Sequence, residues 1–144
     1  MEEKGFPAIY VRHDSTGQES ILIQGKPGFD FMDEVKPTEG EQVITKHVNS
    51  AFTGTELEDM LRNIDADAVY ICELTTDHCV STTARMSGNL GFNALVVEDG
   101  CATYPKSGPG GKIIDAETLH IANLAPLNGE FARVMESGDI AFLP

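Results

Sequence analysis

The densest chemistry in the chain lies in Thr75-Thr76-Asp77-His78-Cys79-Val80-Ser81-Thr82-Thr83-Ala84-Arg85. An uninterrupted apolar run of strand length, Ala68 to Cys72, precedes it, and Val80, Ala84 and Leu90 follow with small residues between them. The pattern reads as a strand that turns tightly into a helix, with Cys79 at the first helical positions. A thiol there lies at the carboxyl end of a strand and the positive end of a helix dipole, which favours the thiolate and lowers its pKa. Ligands of open α/β sheets collect at that edge. The alternative reading of Cys79 is a small buried apolar residue, the common fate of a free cysteine. Neighbours on a turn seldom face each other, so His78 is not expected to pair with Cys79.

Strand and helix patterns alternate along the chain, which points to a parallel sheet with covered faces. Expected strands are Ala8 to Val11, Gln42 to Thr45, Ala68 to Cys72, Ala94 to Val97 and Ile140 to Phe142. Thr53-Gly54-Thr55-Glu56 offers a capping box for a helix carrying Leu57, Met60, Leu61 and Ile64. A later helix starts at about Asp115 as N-cap and carries Leu119, Leu124, Leu127, Phe131 and Val134. Pro126 removes a backbone donor within it, an interior defect of ~3 kcal/mol, so a break is predicted there. The connection from Asp14 to Glu41 exceeds the ~12–15 residues of a plain connector and reads as a lid or a flexible surface excursion. Tyr104 to Lys112 lacks the first glycine of a phosphate-binding loop and reads as a mobile loop.

The 144 residues, 41% of them hydrophobic, suit one modest domain, taken as residues 1–144. A net charge of −13 argues against nucleic acid or an anionic membrane as partner. No stretch approaches the ~20 apolar residues of a membrane span, and the start lacks a signal-peptide pattern, so a cytoplasmic protein is expected. Cys72, Cys79 and Cys101 form no CxxC pair, which argues against a disulfide framework or a zinc site. Cys72 reads as inert core. His47 and His120 show no metal-ligand spacing, and metal-free, cofactor-free chemistry is expected.

Thr45-Lys46, Asn49 to Thr55, Thr75 to Val80, Asp99 to Thr103, His120 and Leu124 to Ala132 together resemble, in order, the isochorismatase-like cysteine hydrolases. The likeness covers nearly the whole chain from Ile9. It implies a three-layer α/β/α, Rossmann-like fold with a mostly parallel sheet, and a triad of aspartate, lysine and cysteine. Cys79 and Lys46 fall on two triad positions. The family aspartate belongs to a strand before the one resembling Ile9 to Asp14, and Met1 to Gly5 are too few for a strand and crossover of about a dozen residues. That first, central strand is therefore expected to be absent, leaving an N-terminally short domain. Asp14, Asp30 and Asp33 are the nearest carboxylates, and surface or capping roles are expected for them.

The resemblance implies a Cys79 thiolate attacking an amide-like or vinyl-ether small molecule, with Lys46 as electrostatic partner and the N–H groups of Thr75 and Cys79 as the oxyanion hole. Lys46 closes an apolar strand, so either an anion such as the Cys79 thiolate lies nearby or the ammonium is solvated. Tyr104 and Phe52 are expected to line the substrate pocket. Glu73 stands where the family usually has glycine. With the aspartate absent, Glu73 supports an alternative: a catalytically silent member that binds a small ligand or a partner protein. A sheet lacking its central strand also predicts association into a homo-oligomer.

Overall fold

The computed structural model describes residues 6–140, and the chain divides into two compact units, Met1–Glu58 and Asp59–Pro144. In the first, β1 (Ile9–His13) and β2 (Gln42–Lys46) pair in parallel, with Ile9 opposite Gln42 and His13 opposite Lys46. Their long connection is anchored to the strands it joins. Asp14 N–H donates to Lys46 O at 2.8 Å, and Asp14 Oδ1 accepts from Gln24 N at 3.0 Å. The Arg12 guanidinium lies 4.4 Å from the centre of the buried Phe29 ring and donates to Thr45 Oγ1 at 3.0 Å. Tyr10 meets Phe31 edge-on at 5.9 Å. Two short 3₁₀ turns, Pro27–Phe29 and Asp33–Val35, interrupt the connection.

Helix α1 (Leu57–Asn63) buries Leu57 and Leu61, one turn apart, and leaves Ile64 outside the helix and exposed. The expected cap on Thr53 is replaced by Thr55, whose hydroxyl accepts from Leu57 N at 3.3 Å and donates to Ala51 O at 2.5 Å. A hydroxyl two residues before the first helical N–H is better placed to satisfy it.

In the second unit, β3 (Val69–Ile71), β4 (Ala94–Val97) and β7 (Arg133–Met135) form a parallel sheet in the order β3-β4-β7. Every residue of β4 is buried, which accounts for its unbroken apolar run: a central parallel strand is covered on both faces. Helices α2 (Ser81–Asn89) and α3 (Ala116–Leu127) complete a core of Ile71, Val80, Ala84, Ala94, Val96, Cys101, Leu124, Leu127 and Ala132. The small residues of α2 permit close packing. A Cβ at Gly88 would stand 2.5 Å from the Phe131 carbonyl oxygen, so only glycine lets the helix approach that backbone.

Asp115 caps α3 as expected, its Oδ1 accepting from Thr118 N at 2.8 Å. The helix ends at Leu127, one residue past Pro126, so the predicted break is found. Phe131 and Val134 accordingly leave the helix. Gly129, at φ +91°, makes the turn that a side chain would resist, and Val134 joins β7. The strand expected at Ile140 to Phe142 is not formed at its start: Ile140 closes a short helix, α4 (Ser137–Ile140), while Ala141 and Phe142 lie outside the described residues. Asp99 draws α4 in by accepting from Ser137 N at 2.7 Å and from its hydroxyl at 2.5 Å.

The segment expected to be a mobile loop is a hairpin. Strands β5 (Lys106–Ser107) and β6 (Ile113–Ile114) pair antiparallel, and Gly108 N–H donates to Lys112 O at 2.8 Å across the turn. Glycine at φ +74° and +78° in positions 110 and 111 supplies the left-handed residues that the turn requires.

Candidate active site

Cys79 lies where strand β3 gives way to α2. After Ile71 the chain runs through residues 72–75, makes a parallel bridge from Leu74 to Ala102, and enters the five-residue turn Thr76–Val80. The Leu74–Thr75 peptide is cis. The turn is wider than the α-helical start expected: Val80 N–H reaches back five residues to Thr75 O at 3.2 Å, and His78 N–H donates to the same oxygen at 3.1 Å. Such π-type turns recur at functional positions in helices. Helix α2 therefore begins at Ser81, and Cys79 is half-buried in the turn before it.

Two tethers hold this turn. The first is at Thr76, which is fully buried: its N–H donates to Ala102 O at 3.0 Å, and its hydroxyl lies 2.7 Å from His120 Nδ1 on α3. The second is at Asp77, whose side chain is only 8% exposed. Oδ1 accepts from Thr103 Oγ1 at 2.6 Å, and Oδ2 forms a short ion pair with Lys106 on β5. Burial works to raise the Asp77 carboxyl, but the hydrogen bonds from Lys106 and Thr103, with the Lys106 charge, outweigh it and hold the pKa at about 2. The Lys106 ammonium also bonds Thr103 Oγ1 at 3.3 Å and lies 4.5 Å from the Tyr104 ring centre. Tyr104, expected at the pocket, is more than half exposed.

His78 is exposed and faces Asp77, its Nε2 3.9 Å from Oδ2. The other two cysteines differ from each other. Cys101 is buried; its burial pushes the thiol up to about 11 against a main-chain hydrogen bond from Glu73, and its sulfur approaches Ile71 O at 3.8 Å. Cys72 is exposed, not core as its strand pattern suggested: β3 ends at Ile71, one residue earlier than expected, so the alternation no longer applies to it.

In the first unit, Lys46 is 1% exposed, which removes the solvated reading of this side chain. Its ammonium donates to Asn49 O at 3.0 Å and Val48 O at 3.3 Å, and lies 3.5 Å from His13 Nδ1. Burial, and then the neighbouring Lys46 and His47 charges, lower the His13 pKa against the pull of Asp14, so the imidazole beside Lys46 is neutral near pH 7. Phe52, the other expected pocket residue, is buried, and its N–H donates to Ser50 Oγ at 3.2 Å in the segment that supplies the Lys46 carbonyls.

Asp77, Thr103, Lys106 and His13 were absent from the residues singled out by sequence. Asp77 stood inside the motif and Lys106 in the glycine-rich segment, but nothing in their spacing paired them. Thr76 and Thr103 stood only inside motifs, and His120 was weighed only as a metal ligand and a motif position. Among the described residues no group of three or more histidine, cysteine, aspartate or glutamate side chains could hold a metal ion, and no helix is long and apolar enough to cross a membrane.

The chain matches the Isochorismatase domain over residues 1–138. An isochorismatase family protein of Bacillus subtilis is 41% identical over 138 residues, 96% of this chain and 74% of its own length. The crystal structure of a hydrolase of the isochorismatase family from Chromobacterium violaceum superposes with a TM-score of 0.87 at 43% identity, over 92% of this chain and 68% of that one. A maleamate amidohydrolase of Pseudomonas putida is 28% identical over 82% of this chain and 50% of its own length. A turn built around Cys79 at the carboxyl end of a parallel strand, and likeness across nearly the whole chain, lead to one assignment: the chain belongs to the isochorismatase family of hydrolases.

Proposed function

We propose that the chain is a cysteine hydrolase of small carboxamides, with Cys79 as nucleophile. The observation that carries this reading is the position of Cys79 in the tethered turn between β3 and α2, half-buried and at the amino end of a helix. Such a position, at the carboxyl edge of a parallel sheet where ligands collect, leaves the half-buried sulfur reachable. The sulfur attacks the amide carbonyl carbon, the C–N bond breaks, and the nitrogen leaves with the proton that began on the thiol. Water then hydrolyses the thioester and restores the thiol. In the resemblance, the group that carries the proton is an aspartate on a strand ahead of the one matching β1.

Lys46 is the electrostatic partner in this proposal. Main-chain carbonyls orient its buried ammonium. The N–H groups of Thr75 and Cys79 receive the oxyanion, and Tyr104 and Phe52 line the pocket. The maleamate amidohydrolase relative supports a substrate in which a small acid carries the amide. A single hydrolase domain containing both units, a cytoplasmic location and a homo-oligomeric state belong to the same reading.

The test is the rate of iodoacetamide labelling at Cys79, resolved by peptide mass spectrometry, with Cys72 and Cys101 as internal controls. Labelling at least about tenfold faster than at exposed Cys72 is expected, because exposure alone does not raise thiolate content. Labelling no faster than Cys72 overturns the nucleophile and favours the silent, ligand-binding alternative.

A further inference from the structure

Asp77 sits two residues before Cys79, and its side chain is 8% exposed. If the only need were to tie the turn to the segment after β4, neutral bonds already do it: Thr76 N–H donates to Ala102 O, and Leu74 bridges Ala102. A buried carboxylate costs more than a neutral side chain unless it is paired, so an ion pair added to these bonds has a separate consequence. That consequence is visible at Lys106. One ammonium is held at once by the Asp77 carboxylate and the Thr103 hydroxyl, and it lies over the Tyr104 ring. Lys106 also opens the β5–β6 hairpin, paired with Ile114. Thr103, Tyr104 and Lys106 are thereby gathered on the one carboxylate that the Cys79 turn presents to them.

We propose that Asp77 and Lys106 are positioning residues: their ion pair locks the Cys79 turn, the exposed Tyr104 ring and the β5–β6 hairpin into one unit, so that the nucleophile and an aromatic wall keep a set separation. The proposal rests on the reading of Cys79 as nucleophile. Neither side chain touches the reacting atoms in this assignment. Charge, and not bulk, is what fixes the lysine over the ring, because a cation is attracted to both the carboxylate and the π face.

The experiment compares iodoacetamide labelling of Cys79 and Cys72 in the full chain and in the variants K106M, K106R and T103V, each held well below its own melting transition. Labelling of Cys79 is expected to slow about tenfold in K106M, within the range of couplings between residues of one network. K106R is expected to stay within about twofold of the parent, because arginine keeps the positive charge that the carboxylate and the π face attract. T103V, which keeps the ion pair and removes the two hydrogen bonds of the Thr103 hydroxyl, should fall between them. Cys72 labelling should not change in any variant.

Parent-like Cys79 labelling in K106M overturns the proposal, and so does a parallel change at Cys72 and Cys79, which would mark general loosening. Should K106M fail to fold, K106Q, which also removes the charge but keeps a polar end, decides in its place: parent-like Cys79 labelling in K106Q overturns the proposal, and a slowing of about tenfold supports it. A parent protein whose Cys79 labels no faster than Cys72 removes the nucleophile itself, a result read before any substitution is made.

Discussion

Among the described residues two lysines are withdrawn from solvent, and the contacts that hold them differ in kind. Lys106 pairs with a carboxylate that is itself buried, whereas the hydrogen bonds from Lys46 run to the carbonyls of Val48 and Asn49, beside a neutral His13. A carboxylate both orients and neutralises an ammonium. Carbonyl dipoles orient it and leave its charge in place. The Lys106 corner is therefore a fastening whose two charges depend on each other, while main-chain carbonyls and a neutral imidazole orient the Lys46 ammonium.

The largest expected effect tests that dependence. K106M leaves the Asp77 carboxylate buried beside neutral groups, and chemical denaturation at pH 7 should show a loss of about 2–3 kcal/mol. A loss below ~0.5 kcal/mol would show that the pair is solvated and the comparison mistaken.

Acid should reveal the same interaction. Asp77 falls from the ordinary 3.8 to about 2 in the folded chain. Its folded value is the depressed one, so its contribution is complete above about pH 4 and is lost as pH falls toward 2. That contribution is about 2 kcal/mol, and D77N should lack this part of the acid limb. An acid limb identical in D77N and parent would refute it.

A smaller loss is expected from K46M. It removes the two hydrogen bonds that the ammonium makes to main-chain carbonyls, so the cost should be about 1 kcal/mol, below that of K106M under the same conditions. The reverse order would break the comparison.

The smallest effect concerns His13. The unfolded imidazole takes up a proton below about 6.5, but the folded one resists because of burial and the Lys46 charge. Stability should therefore decline modestly as pH falls through that range. In K46M the His13 titration followed by NMR should move upward, and an unchanged titration would show that Lys46 does not act on the ring.

Much of the fold was legible because its signals are local. The apolar run Ala94 to Val97 is β4 to the residue, since a strand buried on both faces has no polar position to blur its ends. Asp115 caps and Pro126 stops α3 through groups within four residues of each other. The site was half legible by the same rule. The strand, turn, cysteine and helix stand in sequence, so the Cys79 turn could be anticipated, though not its wider π geometry.

What escaped depends on partners distant in sequence. Asp77 and Lys106 are 29 residues apart, and Thr76 and His120 are 44 apart, with no spacing rule to join them. The glycines of the 108–111 segment suggested motion because a sequence does not show that flanking residues pair as β5 and β6. Cys72 kept the look of a core residue because alternation does not say where a strand ends.

From its sequence alone, this chain determined its alternation of strand and helix, its caps and stops, the family it resembles and the cysteine at the turn between β3 and α2. These follow from periodicity and from hydrogen bonds closed within a turn. Only the tertiary structure decided that Lys46 is buried, that Cys72 is exposed and that Asp77 meets Lys106. Burial and charge pairing belong to surfaces brought together by packing, and they have no counterpart in the order of residues along the chain.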